Sequence, residues 1–324
     1  MVATSLVLAA LAVALAWPVP VLLARARWPA RAPATALVLW QAVALAGGLS
    51  MLGALVTFGL APFGPDLVSS GISLSAQFQG HDLGRAFGPL QVLALAGALL
   101  LGGHLLLNLL VTVLRAERER RRHAQLVLLL STPLPDAPGT RLLDDPAPVA
   151  YCLPGAFTTL TVLSVGLVSL LEEDELSAVV EHERAHAHQR HDIVLVLFRA
   201  WKSSLPWFPI ARRAQREVGL LVEMLADDHA RRSVDDDVLA RAIALVSAGG
   251  PGLAFHAAGE GGPVHPSAAD PGRTLADEAR DRILRLAMPP LPPGRTAGVI
   301  GAAAALVVVP TLLLLGPGLG RLLA

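Results

Sequence analysis

His182-Glu183-Arg184-Ala185-His186 spells H-E-x-x-H, a spacing that puts two imidazoles one helical turn apart on the same face. Two such rings suit a single Zn²⁺, which takes its ligands from histidine, cysteine and carboxylate side chains. Glu183 is offset from His182 by about 100° around a helix, so it reaches a water beside the metal without being a ligand itself. A carboxylate in that place takes a proton from the water and later passes it to the leaving amine. From residue frequencies alone, a chain of this length spells the motif with a probability on the order of 1%. The stretch around it, VVEHERAHAHQRHD from 179 to 192, gathers four histidines in a chain that is 53% hydrophobic.

A catalytic zinc site needs a third protein ligand. LLVEMLADDHA, 220 to 230, reads as a helix carrying Glu223 and, one turn on, Asp227. Glu223 is the candidate third ligand, and Asp227 the candidate hydrogen-bond partner that fixes the tautomer of a liganding histidine. Without the H-E-x-x-H motif, Asp227 and Asp228 would read as a solvated helix face. His188 points to another face from His186, and His191 lies five residues further on; both are expected in solvent or behind the ligands. His229 and His265 are candidates for steadying an oxyanion, with an ordinary surface role as the plainer alternative.

The elements that must hold these groups follow from pattern. LEEDELSAVVEHERAHAHQ has acidic residues suited to a helix N-terminus and apolar Leu176, Val179 and Val180 at helical spacing. Upstream, PVAYCLPGAFTTLTVLSVGLVSL is rich in β-branched residues and interrupted by Pro154-Gly155, a hairpin-like signal. A strand around Thr158 to Val165 is expected to have an open edge, where an extended peptide adds and lies across the metal; packing of a small sheet on the helix is the plainer role. DIVLVLFRAWKSSLPWFPI, 192 to 210, is apolar at first but carries Arg199 and Lys202 near its middle. It reads as a buried or interface-lying helix ending near Pro206, not as a span. The Gly/Pro/Ala-rich run 249 to 273 reads as a mobile loop.

The whole chain points to a membrane. Mean hydropathy is +0.56 over 324 residues, and 16% of them are charged, where soluble domains hold nearer a quarter. Zero formal net charge gives no footing for nucleic-acid binding, and Cys152, the single cysteine, excludes an internal disulfide. Residues 2–23, 35–60 and 88–114 and the stretch from Thr296 to about Leu315 are each of spanning length. No basic segment precedes the first, which disfavours a cleavable signal peptide. Pro18, Pro20 and Pro310 are expected to kink or end their helices. His104 and Asn108 share one face of the third span; an interhelical hydrogen bond is the plainer role for them. Arginines cluster after the first span (Arg25, Arg27, Arg31) and after the third (Arg115, Arg118, Arg120, Arg121, Arg122), whereas 61 to 87 has only Arg85 against Asp66 and Asp82. The positive-inside rule then puts the N-terminus outside and 115–295 in the cytoplasm. The expected fold class is a mainly α membrane protein, with three transmembrane helices in 1–114, a cytoplasmic α+β zinc peptidase domain in 115–295, and a fourth transmembrane helix in 296–324.

AYCLPG, the β-branched strand, LEEDELSAVVEHERAH and VEMLADD together resemble the BlaR/MecR-type integral-membrane zinc metallopeptidases, gluzincins that pair H-E-x-x-H with E-x-x-A-D. The resemblance covers most of the chain. It implies a cytoplasmic gluzincin domain between the third and fourth spans and one Zn²⁺ held by His182, His186 and Glu223. It further implies Glu183 as the base and Asp227 behind the ligands. The implied partner is a cytoplasmic regulatory protein, such as a BlaI/MecI-like winged-helix repressor, cleaved in signal transduction. Membrane lipid surrounds the spans, no direct nucleic-acid contact is implied, and a homodimer is left open. The best-known members add an extracellular penicillin-binding sensor whose acylated serine lies three residues before a lysine. Here the only lysine, Lys202, has Arg199 at that spacing, so the expectation is a protein without direct β-lactam acylation. The HtpX and CAAX-prenyl endoprotease families share both motifs, and HPSAADPGRTLADEARDRILRL is loosely similar to a segment they carry after the zinc site. They supply a second reading, a quality-control protease of membrane proteins. A catalytically idle zinc scaffold is the third, and the intact Glu183 weighs against it, since a structural site needs no base.

Overall fold

The computed structural model describes residues 1–79, 88–135, 137, 139–154, 159–205, 209–248 and 274–322. In chain order the first helices are α1 (Val2–Ala16), α2 (Pro18–Arg25), α3 (Pro33–Gly59), α4 (Leu67–Gln79) and α5 (Pro89–Leu130). Four strands follow, β1 (Ser131–Pro133), β2 (Thr140–Leu143), β3 (Ala150–Pro154) and β4 (Thr159–Ser164). The remaining helices are α6 (Val165–Leu170), α7 (Glu173–His188), α8 (His191–Ser204), α9 (Pro209–Ala230), α10 (Asp236–Ala248), α11 (Leu275–Leu286) and α12 (Pro293–Leu322). The chain divides into two units, residues 1–26, 35–108 and 291–324 in one, 27–34 and 109–290 in the other.

Four helical segments are long and apolar enough to cross a membrane: Val2–Arg25, Pro33–Gly59, Pro89–Leu130 and Pro293–Gly318. The first breaks at Trp17, and Pro18 opens α2 in the first turn, where a missing N–H costs least. α12, by contrast, runs through Pro310 and Pro317 without ending. Stretch 61 to 87 is more than a connection: Asp66 accepts from the Ser69 N–H at 2.9 Å and starts α4. Nor does the third helix stop near Leu114. α5 has 42 residues, and its charged continuation is supported by Glu117, which pairs with Arg120 at 2.5 Å and Arg121 at 2.6 Å, at the i+3 and i+4 positions that stabilise exposed helix. In the first unit Ser5 Oγ donates to the Ala54 carbonyl at 2.8 Å, and Leu15, Val43 and Ala46 form a buried cluster that Leu306 packs against. Leu99, Leu100, Leu106 and Leu107 of α5 are exposed, a surface suited to hydrocarbon. On the same helix His104 is exposed and Asn108 half-buried.

The second unit is built on a mixed sheet of order β1-β2-β4-β3. β4 pairs parallel with β2 and antiparallel with β3, so the strand expected at Thr158 to Val165 exists but is central. Among the described residues the edge strand beside it is β3, which also lies against α7. Strand alternation sends Val162 and Leu163 to opposite faces. Val162 packs with Tyr151 and with Val127 of α5. Leu163 joins Leu167 and Leu171, Ala178 and Val179 of α7, and Leu239 and Ile243 of α10 in the larger core. The turn from β4 into α6 is fixed by Ser164, whose Oγ accepts from Val149 N at 2.7 Å and Leu167 N at 3.1 Å. Gly166 is required there, because a Cβ would meet the Pro146 carbonyl oxygen at 2.0 Å.

Candidate metal centre

α7 begins with a reciprocal cap: the Glu175 side chain accepts from the Glu172 backbone N–H at 3.0 Å and from Arg241 Nε of α10 at 3.3 Å. Its buried face carries Glu175, Ala178, Val179, His182, Glu183, Ala185 and His186, the spacing of an amphipathic helix turned inward. Ala178 and Ala185 are fully buried, and such small side chains let α9 approach closely. α9 answers with Val218, Val222 and Ala226, also without exposure, and so brings Glu223 and Asp227 to the histidines.

His182, His186 and Glu223 come together as a candidate metal-binding group among the described residues. Nε2 of His182 lies 3.2 Å from Nε2 of His186, and the Glu223 oxygens lie 3.3 Å from the former and 3.5 Å from the latter. Ligands at 2.0–2.1 Å from zinc in a tetrahedron stand about 3.3 Å apart. Each imidazole nitrogen thus has a different oxygen of Glu223 at about the ligand–ligand spacing, and the donor set of two histidines and one carboxylate fits the metal. Asp227, with no exposure, lies with Oδ1 2.9 Å from His182 Nδ1, where it holds the proton on that nitrogen and leaves Nε2 free to ligate. Glu183 is buried, and its Oε1 has no hydrogen-bond partner among the described residues, as a base awaiting a water would.

Arg282 of α11 was not singled out by the sequence, yet it closes the site. Its Nε donates to Asp227 Oδ2 at 2.8 Å and its Nη2 to Oδ1 at 2.6 Å, a bidentate pair, while Nη1 lies 3.3 Å from Glu223 Oε2. One turn on, Arg285 donates to the Met224 carbonyl at 2.9 Å and pairs with Asp228, so α11 is clamped along α9. Only the motif-like similarity of HPSAADPGRTLADEARDRILRL hinted at this segment. Of the other histidines, His188 is exposed and His229 half-buried, and neither enters the contacts above. His265 and the run 249 to 273 lie outside the described residues.

Charge explains the chemistry available. Burial pushes the Glu183 carboxyl up to about 8, so its proton affinity suits proton transfer near neutrality. Burial pushes His186 down to about 3, which keeps the ring neutral, as a ligand must be. For His182 burial acts downward, but hydrogen bonds to Asp227 and Glu223 outweigh it and push the ring up to about 9, so a metal that binds there displaces a proton. Burial alone would raise Glu223 and Asp227; His186, His182 and Arg282 hold Glu223 low, and Arg282 with His182 holds Asp227 low. When all three carboxylates ionise, Arg282 answers one charge, and a divalent cation answers the other two. Cys152 offers no rival nucleophile: burial pushes its thiol up to about 11.

Residues 115–231 match the sequence profile of Peptidase family M48. No curated protein and no solved structure matches the chain. The matched stretch contains both the H-E-x-x-H helix and Glu223, and it supports a membrane-associated metallopeptidase, a hydrolase of typically metal-dependent type.

Proposed function

We propose that the protein is a membrane-embedded zinc metalloendopeptidase that cleaves a cytoplasmic regulatory protein of the BlaI/MecI-like winged-helix type in signal transduction. The observation that carries the reading is the pair of Nε2 atoms of His182 and His186, 3.2 Å apart, each with one Glu223 oxygen at 3.3 or 3.5 Å, beside buried Glu183, whose Oε1 has no hydrogen-bond partner among the described residues. Those three residues would hold the metal, which when bound polarises the scissile carbonyl and makes water acidic enough to deprotonate near neutrality. The substrate backbone adds along β3, the edge strand among the described residues and the one against α7, and is presented extended to the site. Glu183 takes a proton from the attacking water, and the oxygen forms its bond to the carbonyl carbon. Glu183 then returns the proton to the amide nitrogen as the C–N bond breaks, releasing a carboxylic acid and an amine, and the acid's proton passes to the amine to give carboxylate and ammonium. Asp227 and Arg282 stay charged throughout and hold His182 and Glu223 in place.

A second reading, an HtpX-like quality-control protease, is favoured by α11. The segment similar to those families supplies Arg282, which grips Asp227. Proteomics of newly formed N-termini in the native host, wild type against Glu183→Gln, separates the two. A single repressor-like product confined to the wild type is expected. A broad set of membrane-protein fragments would select the second reading, and identical N-termini in both strains would contradict proteolysis altogether.

A further inference from the structure

His186 has a second nitrogen, and its surroundings are built. If His186 Nε2 ligates, its Nδ1 must carry the ring proton. That Nδ1 lies 3.1 Å from Nδ1 of His191, so His191 Nδ1 has to accept. The proton of His191 then sits on its Nε2, which lies 2.9 Å from Gln189 Oε1, an acceptor. Every proton in the chain has one place. The opposite assignment would put the His186 proton on Nε2, facing His182 and Glu223, and block ligation.

The backbone is bent to make this arrangement. α7 ends at His188 with Gln189 as its C-cap, and Arg190 takes φ 49° and ψ 45°. Arg190 is the positive-φ residue other than glycine among the described residues. A side chain is strained there, and such strain persists where the surroundings over-determine it. The left-handed turn starts α8 with His191, which is 3% exposed, and brings its ring back onto α7. The rings of His186 and His191 meet edge to face, with centroids 5.0 Å apart at 86°.

We infer that His191, backed by Gln189, is a positioning residue that fixes the tautomer and orientation of the metal ligand His186. The inference rests on the metallopeptidase reading and deepens it: His182 is set from behind by Asp227 and Arg282, and His186 by a neutral imidazole and an amide. The two ligands are held by different chemistry from opposite ends of the site's hydrogen-bond network.

The test is zinc affinity of the detergent-solubilised full chain, measured by competition with a chromogenic chelator, with the visible absorption of the Co²⁺ form as a second readout. His191→Phe keeps a ring but no acceptor and is expected to weaken zinc binding by about 10–100-fold and to change the Co²⁺ spectrum. His191→Asn places an amide oxygen where Nδ1 stood and should restore most of the affinity and the spectrum. Gln189→Leu, at an exposed position, should weaken binding in the same direction by less. Melting of the metal-free proteins reports folding; should His191→Phe not fold, Gln189→Leu and His191→Asn decide. Wild-type affinity in folded His191→Phe or in Gln189→Leu, or an asparagine variant that binds as poorly as the phenylalanine one, overturns the inference. Wild-type protein that takes up no zinc overturns the metallopeptidase reading itself and is told apart by that.

Discussion

Glu183, Glu223 and Asp227 share one buried neighbourhood with the Arg282 guanidinium, which has two tasks: it neutralises Asp227 and it steadies Glu223. Removing one partner of a buried pair leaves a charge without an answer, which costs about 3–5 kcal/mol, whereas replacing both by apolar groups costs far less. Arg282→Met and Asp227→Leu should each lower the melting temperature of the metal-free protein sharply at pH 7, and the double variant should lie well above the sum of the two losses. Asp227 is held below its ordinary value, so its share of stability is present above the unfolded carboxyl's value of about 4 and fades as pH falls below it. The gap between wild type and double variant should narrow on acidification. Additive losses at pH 7 would mean that the pair is not coupled. His182, Glu183 and His186 were legible in the sequence because their relation is local, one turn of one helix, and Glu223 with Asp227 repeats that relation. Arg282 was not. It stands 55 residues from Asp227, on a helix that also carries Arg280 and Arg285, and no spacing says which arginine turns inward.

At the scale of elements, α7, the helix of the H-E-x-x-H motif, was readable from its acidic start and apolar stripe, but the sheet was only half readable. β4 announces itself by Thr, Val and Leu, whereas its parallel partner β2 has four residues, Thr-Arg-Leu-Leu, too few to show a period. Without β2 the central strand passes for an edge. The length of α5 escaped for a related reason: apolar content ends near Leu114, but helix does not need apolar residues once Glu117 and its arginines support it. For α8 the sequence pattern suggests a membrane-surface role. It has 14 residues, too short to span, yet Ile193 and Leu197 are exposed one turn apart, with Arg199 and Lys202 further along. That is the pattern of a helix lying at the lipid–water boundary. Spin labels at positions 193 and 197 should be relaxed by oxygen, which partitions into lipid, more than by a water-soluble nickel chelate. The reverse order would place this face of α8 in water.

At the scale of the whole molecule, four apolar helices suggest insertion in a membrane, and the arginine asymmetry suggests the orientation. Reporter fusions after residue 75 should read outside, and fusions after 125 or 275 should read cytoplasmic. An outside signal at 275 would mean that 192 to 210 spans and would put α7 and α9, which pack together, on opposite sides of the bilayer, contradicting the single-domain reading.

The central claim, a metal held by His182, His186 and Glu223 with Glu183 as the base, is tested most directly by zinc content and peptide-bond cleavage measured together on purified Glu183→Gln and His186→Ala. Glutamine keeps the size of the side chain and the helix but cannot accept the proton. Glu183→Gln should therefore hold about one zinc per chain while turnover falls by roughly 10²-fold or more, and His186→Ala should lose both metal and turnover. Wild-type turnover in Glu183→Gln, or full zinc in His186→Ala, would contradict the account.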